Sequence, residues 1–108
     1  MDSERRKRLI QLQRMEATEA EVYKKLAKRQ KNAKNKDILE KIAIQENAHY
    51  NILRKSTDID VNPSKIRVSL HVMTSVLFGL TFSLKLMEKI EKSAAKEYRD
   101  LGLDDIAK

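Results

Sequence analysis

Apolar residues recur every three or four positions through most of this chain, the spacing at which side chains line one face of an α-helix. From about Ser3 to Lys31 the pattern predicts one amphipathic helix, and from about Lys36 to Lys55 a second, with the polar stretch QKNAKNKD between them. Two helices joined by so short a polar segment make an antiparallel hairpin. The stretch STDIDVNPSK follows, in which Asn62 is suited to cap a helix that starts at Pro63, a residue that loses nothing there by lacking an N–H. A long third helical segment then extends to about Arg99. Gly102 is a stop signal, and Asp104 and Asp105 would open a fourth helix with only residues 103–108 to form it.

Composition agrees with an all-α chain: 36% of residues are charged, 5% are aromatic, and there are two glycines and one proline. At 108 residues the length suits a single small domain, 1–108, with one core. The absence of cysteine excludes disulfides, thiolate metal sites and a cysteine nucleophile, so any metal must be held by oxygen and imidazole. It also suits a reducing cytoplasm, and the opening residues lack the apolar run of a signal peptide. The longest uncharged run, Val68 to Leu84, includes Ser69, His71, Thr74, Ser75, Thr81 and Ser83, and is too short and polar for a bilayer span. A buried or interface helix is expected there. No nucleophile elbow and no glycine-rich phosphate loop is present, which sets aside those enzyme classes.

The chemistry lies on the apolar faces. At 100° per residue, Leu9, Leu12, Ala20, Tyr23 and Ala27 fall within about 40° of Glu16, while Arg14, Lys25 and Lys28 point away. About Glu46, the residues Leu39, Ile42, Tyr50 and Leu53 fall within about 40°, with His49 about 60° to one side. About Glu91 the inward set is Met73, Leu80, Leu84, Met87, Ala95 and Tyr98, with Glu88 about 60° off. Three helical segments therefore each aim a glutamate at the core. An ionised carboxylate is costly to bury without a positive partner, and the lysines and arginines mostly face outward. A dication would satisfy several carboxylates and an imidazole together.

Glu16 and Glu46 are equidistant from residue 31, where the first turn falls, so the antiparallel hairpin brings them level. Glu91 would lie about 42 Å along one continuous third helix at 1.5 Å per residue, far from that level. A turn near Gly79 would bring it back; otherwise it serves a partner chain's site.

These residues carry a resemblance. QRMEATEAEVYKKLAKR, ILEKIAIQENAHYNIL and FGLTFSLKLMEKIEKSAAKEY, in this order and spacing, resemble a rubrerythrin-like, ferritin-like di-iron domain, of the version attached to membrane transporters of the vacuolar iron transporter type. The resemblance covers most of residues 10–100. It implies a ferritin-like antiparallel hairpin plus a long third helix, an incomplete four-helix bundle completed by dimerisation or by a missing C-terminal helix. It also implies that Glu16 is the first-helix ligand, Glu46 a bridging ligand, His49 a terminal imidazole and Glu91 the third-helix glutamate, with Glu88 a further candidate. Tyr23 and Tyr98 would flank the metals as hydrogen-bonding groups.

The four-helix di-iron pattern takes a glutamate from each of two helices and a Glu-x-x-His from each of the other two. This chain supplies one Glu-x-x-His; its other histidine, His71, has Val68 three residues before it and is expected in the core or an interface. Two chains pooling Glu16, Glu46 and His49 would reach the full count, so a homodimer or higher homo-oligomer is expected. A second apolar stripe, Val68, Phe78, Phe82 and Leu86, is the candidate dimer surface.

The expected function is non-haem iron binding with di-iron as the cofactor, manganese being the other metal that this donor set suits. The resemblance implies iron oxidation, storage or detoxification, with ferroxidase or peroxidase-type turnover as the associated activity. The net charge of +7 and the basic residues Arg5, Arg6, Lys7 and Arg8 with the lysine-rich turn raise a rival, a helical module docking on nucleic acid or an anionic membrane. A solvated basic face is the expectation for them, and no nucleic-acid partner is expected. A structural helix assembly with a degenerate metal site is a third reading.

Overall fold

The computed structural model describes residues 2–100 and Gly102, without the side chains of Ala94 and Tyr98. It is all-α and ferritin-like, with four helices and no strand among the described residues. Two compact units divide it, residues 1–73 and 74–108. The fourth helix expected from Asp104 and Asp105 falls outside the described residues.

The first unit is built on the expected hairpin. Helix α1 spans Ser3–Arg29, and Asp2 caps it by accepting the Glu4 N–H at 3.1 Å. Helix α2 spans Ala33–Thr57, three residues earlier at its start than the polar stretch suggests. The reason is Asn32, whose side chain accepts the Asn35 N–H at 3.0 Å and so converts most of QKNAKNKD into the first turn of a helix. Only Gln30 to Asn32 are left as the turn, centred on residue 31 as the register argument requires.

Between the two helices Leu9, Leu12, Val22 and Leu26 of α1 meet Leu39, Ala43 and Leu53 of α2, all buried to 3% exposure or less. Each large side chain contributes about 1.5–3 kcal/mol by leaving water. The inward faces read from Glu16 and Glu46 are the buried faces, with Ile42 and Tyr50 half-buried at the edge.

Asp58 ends α2 in the left-handed region at φ 59°, its N–H reaching the Arg54 carbonyl at 2.7 Å. The following loop is fastened back onto the hairpin by side chains. Fully buried Gln13 donates to the Ile59 carbonyl at 2.7 Å and accepts from Thr57 Oγ1 at 2.6 Å. Arg6 donates to the Thr57 carbonyl at 2.8 Å, and Val61 N–H donates to the Tyr50 hydroxyl at 2.9 Å. Ser64 N–H donates to Thr18 Oγ1 at 2.9 Å.

Helix α3 spans Lys65–Phe78, so the expected start with Asn62 as cap and Pro63 as first residue is two positions early. Ser64 is the cap: its Oγ accepts the Arg67 N–H at 3.3 Å while its carbonyl takes the Val68 N–H at 3.0 Å. His71 is half-buried on this helix, and burial together with nearby Arg67 holds its pKa below the ordinary value.

In the second unit Gly79, at φ +93°, breaks the expected long third helix, and helix α4 runs Leu80–Asp100. A residue with a Cβ disfavours that φ, which is why the break falls on the glycine. The helical phase is therefore not carried across Gly79. Met73, expected on the inward face with Glu91, is 56% exposed, whereas Met87 is buried. The candidate dimer stripe is divided too: Val68 is a core residue, while Phe78, Phe82 and Leu86 are exposed, the two rings packing at 5.3 Å. Gly102, at φ +77°, donates its N–H to the Arg99 carbonyl and ends α4 where a stop was expected. Among the described residues no helix is long and apolar enough to cross a membrane.

Candidate metal centre

Glu16 lies 13 residues before the last residue of α1, and Glu46 lies 13 residues after the first of α2, so the short turn sets them at one level. Glu16 is 3% exposed and Glu46 6%. His49, one turn after Glu46, swings between them: its Nδ1 is 3.4 Å from Glu16 Oε2 and 3.9 Å from Glu46 Oε1. One ligand atom from each of Glu16, Glu46 and His49 lies within 4.8 Å of the other two. The carboxylates are deep, while the imidazole, its side chain 20% exposed, faces the rim.

A third buried carboxylate joins them. Glu19 is 5% exposed on α1, and one of its carboxylate oxygens lies within 4.8 Å of one on Glu46. Burial pushes the Glu46 carboxyl up to about 12, helped by the adjoining Glu16 and Glu19 carboxyl groups and their negative charge. Every influence on it acts in the same direction, so without a cation Glu46 is held protonated at neutral pH.

Sequence reasoning passed over Glu19, although its signal was present. It lies about 60° from Glu16, the same offset that His49 has from Glu46, so Glu16-x-x-Glu19 on α1 mirrors Glu46-x-x-His49 on α2. Tyr23 is buried on α1, two turns beyond Glu16. Glu91 is half-buried on α4, and Glu88 is exposed there, paired with Lys92 at 3.4 Å. The Tyr98 side chain lies outside the described residues.

This donor set fits a dication. Several carboxyl groups that cannot all ionise beside one another, with an imidazole at hand and no thiolate, are satisfied together by a hard or borderline metal ion, which lowers the carboxyl pKa values.

Against models of protein families, residues 4–57 match Rubrerythrin. That span holds α1 and α2 with Glu16, Glu19, Tyr23, Glu46 and His49. No curated protein and no solved structure gives a significant match.

Proposed function

The chain belongs to the rubrerythrin family, and from that premise we propose that it is a non-haem iron-binding protein whose centre is held by Glu16, Glu46 and His49. The observation that carries the proposal is the convergence of these three groups within 4.8 Å in the interior of the hairpin. Glu46, close to two other glutamates, would be shared between the metals of a pair; Glu16 would supply a carboxylate and His49 a neutral nitrogen. Glu19 adds an acceptor on the α1 side. The resemblance assigns a further ligand role to Glu91, with Glu88 beside it, and hydrogen-bonding roles to Tyr23 and Tyr98.

Iron bound as a di-iron pair supplies one-electron redox chemistry toward oxygen or peroxide; manganese suits the same donors. The chain's own residues supply the rest. Glu46 must give up its proton when a dication arrives, so metal uptake and proton release are coupled at that oxygen. The buried helix faces exclude water from the carboxylates, and His49 at the rim is the group that meets solvent first.

This reading places the protein in iron oxidation, storage or detoxification in the cytoplasm. It is a homodimer or higher homo-oligomer in which two chains pool Glu16, Glu46 and His49, because one chain supplies one Glu-x-x-His where the four-helix pattern uses two. The likeness to domains fused to vacuolar iron transporter type proteins connects it with iron movement across membranes in longer relatives.

Anaerobic Fe(II) titration of the purified chain tests this, repeated on Glu46→Ala. About one iron per chain, lost in the variant, supports a di-iron site shared between subunits. About two per chain would mean that one chain completes the site, and no saturable binding would refute the iron reading.

A further inference from the structure

The net charge of +7 is not spread over the molecule. Seven of the 23 basic residues, Lys24, Lys25, Lys28, Arg29, Lys31, Lys34 and Lys36, lie in one stretch of 13, and no acidic residue occurs from Val22 to Lys36. The rest of the chain holds 16 basic and 16 acidic residues and is neutral overall. The fold puts this stretch at one place: the last turns of α1, the Gln30–Asn32 turn and the first turn of α2, all at the closed end of the hairpin. All seven side chains are exposed. None lies more than about 11 Å along a helix axis from the turn, within about one and a half Debye lengths at physiological salt. The nearest following acid, Asp37, is held by Lys41 at 2.9 Å.

Stability does not account for this arrangement. Lys28 and Arg29 favour the negative end of α1, but Lys34 and Lys36 sit in the first turn of α2, where the positive helix end disfavours cations and that turn holds no acidic residue. Crowded like charges add repulsion. An external polyanion relieves both.

We infer that the closed end of the hairpin is a docking surface for an anionic lipid bilayer. Six of the seven cations are lysines, compact point charges rather than bidentate forks, which suits scattered headgroups more than ordered base edges. The neighbouring exposed residues Asn32 and Asn35 and half-buried Gln30 are polar, and no aromatic residue lies between Lys24 and Lys36 to stack on a base. Two helices side by side span roughly 20 Å, wider than the roughly 12 Å major groove, but they present a blunt end to a flat surface. Docked this way, Glu16 and Glu46 stand about 20 Å along their helices from the turn, clear of the headgroups. The inference is independent of which metal the centre takes.

The test is co-sedimentation of the full chain with phosphatidylcholine vesicles containing or lacking a third phosphatidylserine, across a salt series, with a DNA duplex as competitor. Expected are binding to the phosphatidylserine vesicles alone, its loss as salt rises, and about a hundredfold weakening in Lys28→Gln/Lys31→Gln/Lys34→Gln, at roughly fivefold per lysine near an anionic surface. A control, Lys55→Gln/Lys65→Gln/Lys85→Gln, removes the same charge from exposed positions elsewhere and should bind as the parent does; circular dichroism checks that both triples keep their helices. The inference is overturned if phosphatidylserine vesicles are not bound, if the two triples weaken binding equally, or if the duplex binds the tip in preference to the vesicles.

Discussion

Replacing Glu46 by glutamine should make the metal-free protein more stable at pH 7, although the residue belongs to the proposed centre. In the unfolded chain the carboxyl titrates near its ordinary value of 4.5 and is ionised at neutral pH; in the folded hairpin it is pushed up to about 12 and holds a proton. Folding at pH 7 must therefore take up that proton, which costs about 3.5 kcal/mol, being 2.5 pH units at about 1.4 kcal/mol each. The sign follows from linkage. The folded pKa is raised, so the Glu46 contribution to stability is fully present below pH 4.5 and is lost progressively as pH rises toward 12. Glutamine has nearly the same shape, can donate to the Glu16 or Glu19 carboxylate through its amide, and has no proton to take up. Urea unfolding of both chains, stripped of metal with a chelator, is the assay. At pH 4 the two should agree within about 1 kcal/mol, and at pH 7 Glu46→Gln should lead by up to about 3.5 kcal/mol. A gap that does not change with pH, or a less stable variant at pH 7, would refute a protonated Glu46.

Three further outcomes follow from the same geometry. Metal uptake near pH 7 should release at least one proton per site in weakly buffered solution, read with a pH indicator, and Glu46→Gln should abolish that release. Thr57→Val leaves the buried Gln13 carbonyl oxygen without the hydroxyl that donates to it at 2.6 Å, and should lower the unfolding free energy by about 1–3 kcal/mol in urea titration. Asp58→Gly places a glycine at the left-handed φ of 59° that ends α2 and should raise thermal stability, by up to about 1 kcal/mol.

Several features were legible because they depend on short-range periodicity. The α1–α2 hairpin, its turn at residue 31 and the inward faces of Glu16 and Glu46 all come from the 100° repeat and one polar interruption. Helix ends were less legible, because a cap is decided by competition between neighbouring polar groups. Asn32 starts α2 earlier than its polar surroundings suggest, and Ser64 displaces Asn62 because its N–H is already held by Thr18. Gly79 was visible as a place to turn, yet a continuous third helix satisfied the same apolar pattern. The left-handed φ of +93° is what ends α3 and resets the phase of every residue after it.

By itself the sequence determined which side chains could reach the hairpin interior and that the excess positive charge clusters around its turn, since both depend on spacing along one chain. The tertiary structure alone decided what those side chains become. Whether Glu46 is charged depends on how closely Glu16 and Glu19 approach it from another helix and on how much water the two faces exclude together. Those are distances and burial between elements remote in sequence, and no helical period encodes them.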